Sequence, residues 1–376
     1  MQRLRRLGWL GSIVLGAVLI APGAGGRKAS ASGPATAPAP WSQSTTSPPR
    51  LEAPPVPQPQ VSIPHAAVSQ LLWAQTEIQV TRPLRLMVFA PHPDDETLAA
   101  AGLIQRVLAR NGQVRVVFIT NGDGYVDGVR KEMRRQHTSK ADFIEYGELR
   151  QAEARRAIRT LGLPTSNALF LGFPDDGIDN LWAYNWSPSN PYTSPYTRFD
   201  RPAYKESFSH RVEYTGIDLE GEISRLLQDF APQLVLVPDP RDRHPDHCST
   251  GVFVLDALRK LLLSREHRLR PRVLTFLVHY PDYPASPSWI KALAGAGVGG
   301  SPAAGRELSE AGWAHLQLSP AESAVKTEAL SKYESQIQVM HPFLKQFLLP
   351  FELFGQLDGE QIKAVPREYA ALFRRR

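Results

Sequence analysis

Between residues 84 and 279, five short apolar runs alternate with stretches of helical pattern. The runs are Leu84–Ala90, Val114–Thr120, Ala168–Leu171, Leu234–Val237 and Val273–His279. They do not alternate apolar with polar, as a half-solvated strand does, so each must be covered on both faces. The helical stretches between them are Glu96–Arg110, Glu145–Leu161, a segment capped by Asp218 and ending near Phe230, and Asp246–Leu263. Residues 125–144 are polar and basic and show no period. Repeated strand–helix–strand order predicts an α/β fold: one mainly parallel sheet with helices on both faces, in a single domain. Ligands of such sheets sit outside the carboxyl ends of the strands, which selects the loops after residues 90, 120, 171, 237 and 279.

The chain upstream is of another kind. Arg3, Arg5 and Arg6 precede an uncharged, mostly apolar run from Leu7 to Ala21, and Ala29-Ser30-Ala31 follows. These are the parts of a secretory signal peptide over residues 1–31. The run is short of the about 20 residues a membrane span needs, and an uncleaved N-terminal membrane anchor is the alternative. Residues 32–79 are rich in Pro, Ala and Ser and read as an extended linker to a domain over 80–376. The formal charge of +6 is concentrated at this end: beyond residue 31 there are 38 cations against 37 acids. The high pI is therefore no sign of a nucleic-acid partner. The expected location is exported: periplasmic, extracellular or anchored at the outer face of the cytoplasmic membrane. One cysteine, Cys248, excludes an intrachain disulfide and reads as a small packed thiol.

The selected loops hold the reactive side chains. Pro91-His92-Pro93-Asp94-Asp95-Glu96 follows the first strand, and Pro238 to His247, containing His244-Pro245-Asp246-His247, follows the fourth. Two imidazoles and a carboxylate can hold a divalent zinc ion with positions left for water and substrate, and a further carboxylate can take a proton. Asp94 or Asp95 can equally be the cap of the helix beginning at Glu96. Iron or cobalt suits the same donors.

HPDDE after the first strand and HPDH after a later one resemble the LmbE-like family, the N-acetylglucosaminyl-phosphatidylinositol de-N-acetylases and their bacterial relatives. Thr120-Asn121-Gly122-Asp123, Arg150-Gln151-Ala152-Glu153, Phe170 to Asp175, and Lys326 with Ala329, Tyr333, Ser335 and Gln336 continue the resemblance in order. It implies a Rossmann-like catalytic domain and a zinc-dependent deacetylase that acts on an N-acetylglucosamine-like sugar or glycan through metal-activated water. His92, Asp95 and His247 match the metal ligands, Asp94 the general base, and His244 a protonated group facing the oxyanion. Asp246 is expected to orient His244 and raise its pKa. Arg150 matches a substrate-contacting position, although an arginine on a helix is usually solvated, and Asp123, in the matching turn, is a second candidate for substrate binding. Where relatives carry another His after HPDH, this chain has Cys248.

An insertion over 178–215 departs from the family. Seven aromatics lie within residues 182–204, among them Trp182 and Trp186. They suit either stacking on sugar faces or a local core that holds the loop shut. His279, at the end of the last strand, is expected near the pocket, where it either binds substrate, supports a ligating residue or makes a structural hydrogen bond. Arg130, Lys131, Arg134, Arg135 and Lys140 form a basic loop that is either a solvated charge run or an attraction for an anionic polymer. Two other functions stay open: an amidase for a different N-acyl or amide conjugate, and a non-catalytic glycan-binding protein.

Overall fold

The computed structural model describes residues 76–264, 269–280, 283–284 and 312–364. The expected signal or anchor at 1–31 and nearly all of the expected linker lie outside these residues. Among the described residues, no helix is long and apolar enough to cross a membrane.

In chain order the elements are β1 (Thr76–Glu77), β2 (Arg85–Ala90), α1 (Asp95–Leu108), β3 (Gln113–Thr120), α2 (Val126–Met133), α3 (Lys140–Thr160), β4 (Ala168–Phe173), α4 (Ile178–Ala183), α5 (Gly216–Phe230), β5 (Leu234–Pro238), α6 (Pro245–Leu263), β6 (Arg272–Phe276), β7 (Trp313–Gln317), α7 (Pro320–Leu330), α8 (Glu334–Lys345) and β8 (Phe351–Leu357). They build one sheet ordered β1-β7-β8-β6-β5-β2-β3-β4. Among the described strands, only β8 runs against the rest, pairing antiparallel with β6 and β7. The mainly parallel α/β sheet is therefore as expected, and β7 and β8 are additions that the strand count missed. The linker also ends early: β1, inside its expected range, pairs with β7.

Continuous apolar strands are explained by the two cores. Leu86, Val88 and Ala90 of β2 pack into one cluster with residues of α1 and α3, while Met87 and Phe89 point into the other with residues of α5 and α6. Helix ends depend on short side chains. α3 starts five residues before its apolar pattern because Ser139 and Asp142 form a reciprocal capping box. Thr215, not Asp218, caps α5: its hydroxyl accepts from the Asp218 N–H, and the Asp218 carboxylate accepts from the Glu213 N–H. α2 had no apolar period to betray it, since only Gly128 and Val129 of it are buried.

The order of the strands fixes where a site can form. From β2 the chain moves outward through β3 and β4, then returns to place β5 on the other side of β2. β2 and β5 therefore flank the switch point, where the loops at their carboxyl ends part and leave a crevice. Those are the two loops that carry the histidines.

The aromatic insertion packs as a local core. The Trp186 ring stacks on Phe253 of α6 at 5.8 Å with an interplanar angle of 4°, and Trp182 meets Phe253 edge-on at 5.0 Å. Tyr204 and Tyr214 are buried. Cys248 likewise packs against this cluster. Trp186→Ala is expected to lower the unfolding free energy by roughly 2 kcal/mol, less than the about 3 to 5 kcal/mol of a fully buried Trp. Urea unfolding followed by circular dichroism reads this directly; an unchanged midpoint would show that the stack contributes nothing.

Candidate metal centre and acid–base site

His92 stands in the loop after β2, Asp95 opens α1, and His247 lies in the first turn of α6. His92 Nδ1 is 3.2 Å from His247 Nε2 and 3.4 Å from Asp95 Oδ2, and His247 Nε2 is 3.3 Å from the same oxygen. Donors at about 2.0 to 2.1 Å from a tetrahedral ion are about 3.3 to 3.4 Å apart, so this triangle fits zinc as it stands. Two imidazole nitrogens facing a carboxylate inside a buried pocket also need a positive charge between them. Burial opposes charge on His247, yet Asp95 and Asp242 outweigh it and push the imidazole up to about 9. A divalent cation would satisfy that demand directly. Histidine and carboxylate donors suit zinc, and other transition ions that accept nitrogen and oxygen.

The far nitrogens are held as well. With Nδ1 facing the triangle, His92 Nε2 carries the proton, 3.0 Å from Asp175 Oδ1 and 3.2 Å from Asp246 Oδ2. His247 Nδ1 lies 3.4 Å from Asp242 Oδ2. Carboxylates behind ligating histidines fix the ring orientation and raise its basicity. Asp175 is tied in turn to the Gly124 N–H at 2.6 Å, and Asp242 to the N–H groups of Val278 and His279, each at 2.9 Å. Burial opposes charge on both acids, but the histidine beside each holds it below the usual carboxylate range. Both residues lie in the strand-end loops, and nothing local in the sequence gives either a role. Their position at strand ends was the available signal; their partners come from distant elements.

Asp94 sits at the head of α1, where a cap belongs, but its side chain makes no capping bond. Its backbone is at φ 127°, a region L residues rarely occupy. Glu96 anchors it by accepting from the Asp94 N–H at 3.2 Å, and Glu96 itself accepts from the Tyr333 hydroxyl at 2.5 Å. Burial, which outweighs the nearby Arg150 guanidinium, pushes the Asp94 carboxyl up to about 8. An acid freed from capping and buried beside the donor triangle has the placement of a general base.

Arg150 is buried, contrary to the solvated reading. It donates to Pro93 O at 2.6 Å and Gly122 O at 3.0 Å, and lies 3.4 Å from Asp94 Oδ2. It joins the loops after β2 and β3. Gly122 is required there: at φ 63°, a Cβ would lie 1.6 Å from Arg150 Nη1. Asp123, one residue on, is buried and accepts from the Tyr204 hydroxyl, so it anchors the insertion.

Asp246 does not orient His244. Its carboxylate is taken by His92 and by the N–H groups of Asp176 at 2.7 Å and Ile178 at 3.0 Å. His244 instead caps α6, its Nδ1 accepting from the Asp246 N–H at 3.2 Å. That bond requires the neutral ring with its proton on Nε2. Burial, together with the His92 and His247 rings, lowers its pKa to about 3, so the expected imidazolium is replaced by a neutral donor. His279 joins the cluster, its ring 5.0 Å from His244, 4.8 Å from His247 and stacked on Phe343 at 5.2 Å. Trp182 and Trp186, expected as possible sugar platforms, present their rings to each other and to Phe253.

Asp242→Asn should weaken zinc binding by about 10- to 100-fold while the fold is kept, because it removes the charge behind His247. Competition titration with a chromophoric chelator measures this, and unchanged affinity would show that His247 needs no support.

Residues 87–258 match the GlcNAc-PI de-N-acetylase family, PIG-L. Over 197 residues, covering 49% of this chain and 55% of the relative, the sequence is 30% identical to a 1D-myo-inositol 2-acetamido-2-deoxy-alpha-D-glucopyranoside deacetylase of Mycobacterium sp. (strain KMS). A Saccharopolyspora erythraea protein of the same description, numbered 1, is 31% identical over 189 residues, covering 48% of this chain and 56% of the relative. The chain thus spans about half the length of the curated relatives it matches. Among solved structures, an N,N'-diacetylchitobiose deacetylase from Pyrococcus horikoshii is similar with a TM-score of 0.41 and 16% identity, over 80% of this chain and 95% of that one. The donor triangle, Asp94, Asp175, Asp242 and Asp246 all fall inside the stretch, residues 87–258, that matches the GlcNAc-PI de-N-acetylase family.

Proposed function

We propose that the chain is an exported, metal-dependent N-deacetylase that removes the acetyl group from an N-acetylglucosamine-like sugar or glycan. The observation that carries this reading is Asp94: buried, strained and free of any capping bond beside three donors spaced for a divalent ion. A structural cap has no use for that strain. His92, Asp95 and His247 would hold the ion; when bound, it polarises the amide carbonyl and makes a water molecule acidic enough to attack at neutral pH.

The chain's own groups supply the rest. Asp94 takes the proton of the attacking water and returns one to the departing amine. His244 presents Nε2–H as a neutral hydrogen-bond donor to the carbonyl oxygen as negative charge builds on it. Arg150 and Glu96 hold Asp94 in place from its two sides. The description of the mycobacterial relative, an acetamido-sugar deacetylase, supports this substrate class.

Asp94→Asn should keep its zinc and lose turnover by roughly 10²-fold or more on N-acetylated oligosaccharides, measured as acetate release. Undiminished release would reduce Asp94 to a backbone element. His244→Ala should also retain the ion and lose about 10² to 10³ in kcat, whereas His247→Ala should lose metal and activity together. The reverse pattern would exchange the two assignments.

Export rests on the charged, apolar and small-residue succession over residues 1–31. N-terminal sequencing of the chain recovered from outside the cytoplasm should begin at Ser32. Recovery only from the cytoplasm, with Met1 in place, would contradict export.

A further inference from the structure

One charged feature of the chain takes no part in the chemistry at the metal centre. Residues 127–140 contain Arg130, Lys131, Arg134, Arg135 and Lys140 against the acids Asp127 and Glu132, a net of +3 in a chain otherwise nearly balanced beyond residue 31. Arg135 is neutralised by Asp142 at 2.7 Å, and Arg130 lies 3.6 Å from Asp127. Among the described residues, no acid lies within ion-pair distance of Lys131 or Arg134. A solvated charge run would spread over a convex surface, but Arg130, Lys131, Arg134 and Arg135 line, with Asp127, a cleft of about 630 Å³ that Gln338 of α8 bounds on another side. Arg134 is moreover at φ 52° and ψ 41°, a left-handed cap position that glycine or asparagine fills more readily.

The two segments that flank the cleft also carry residues that touch the candidate metal centre. The loop leading into α2 passes through Gly124, whose N–H binds the carboxylate of Asp175, and Asp175 is the acid behind His92. On the other wall, α8 carries Phe343, which stacks on His279 within the histidine cluster. A ligand that extends from the histidines to this cleft would meet the Lys131 ammonium and the Arg134 guanidinium, which no carboxylate among the described residues pairs, beside the carboxylate of Asp127.

We propose that this cleft binds an anionic group, phosphate or carboxylate, carried by the same glycan whose acetamido group is hydrolysed, so that the preferred substrate is an anionic one. The assignment of substrate class rests on the deacetylase reading. Arg134 can grip such a group with two parallel N–H bonds, and Lys131 adds a point charge. The attraction would be screened by salt.

The test uses the metal-loaded full chain and a Lys131→Gln, Arg134→Asn double variant, whose asparagine tolerates the left-handed backbone. Two probes without an acetamide are titrated: fluorescein-labelled trigalacturonate for carboxylate, and inorganic pyrophosphate for phosphate. The parent chain should bind at least one of them in a salt-sensitive manner, and the probe bound identifies the group. The variant should bind it roughly 10-fold or more weakly, while releasing acetate from neutral triacetylchitotriose at the parent's rate. Binding of neither probe, or equal binding by parent and variant, would overturn the proposal. So would variant-sensitive binding seen only with phosphatidylglycerol vesicles, which would assign the cleft to a membrane surface. If the parent binds a probe through these residues but releases no acetate from any N-acetylated glycan, the deacetylase reading fails and the anion cleft stands.

Discussion

His92 Nδ1, Asp95 Oδ2 and His247 Nε2 lie 3.2 to 3.4 Å from one another, and these three atoms come from the two sides of the sheet's switch point. Holding like lone pairs at such spacing inside a protein is costly unless a cation sits among them. The surrounding structure is arranged around that demand. Asp175 and Asp246 hold the far side of His92, Asp242 stands behind His247, and each of the three is fixed by backbone N–H groups of another loop. Five loops at one end of the sheet thereby converge on one small volume.

The same convergence accounts for the strain at Asp94. The residue before α1 has to turn sharply so that His92 and Asp95, three apart, can face one point. An unhindered turn there would suit glycine; an aspartate is held at φ 127° instead, with Glu96 and Arg150 anchoring it. Residues kept in such regions occur where the surroundings over-determine them, and they concentrate at sites of chemistry. Burial raises the carboxyl, and Arg150 limits the rise, which leaves Asp94 a better proton acceptor than an exposed aspartate.

Much of this is legible in the sequence. Five apolar runs bounded by turns give the parallel core, and the strand-end rule alone selects the loops of His92, Asp94, Asp95, His244 and His247. Legibility stops where partners are far apart in the chain. Nothing local links Asp246 to His92, 154 residues away, rather than to its neighbour His244. Arg150 reads as a solvated helix position until the loops after β2 and β3 close over it. The tryptophans at 182 and 186 are ambiguous in sequence because stacking on a sugar and stacking on Phe253 demand the same side chain. β7 and β8 are not legible in the same way, because they follow the last βα unit and enter the sheet outside its strand–helix rhythm.

X-ray absorption at the zinc edge of the purified full chain, loaded with one equivalent of zinc, tests the central claim most directly. The account predicts a first shell of nitrogen and oxygen only, at about 2.0 to 2.1 Å, with the outer scattering of two imidazoles. In His247→Ala, one imidazole contribution should disappear. A spectrum lacking imidazole scattering, showing sulfur at about 2.3 Å, or unchanged by His247→Ala would contradict it.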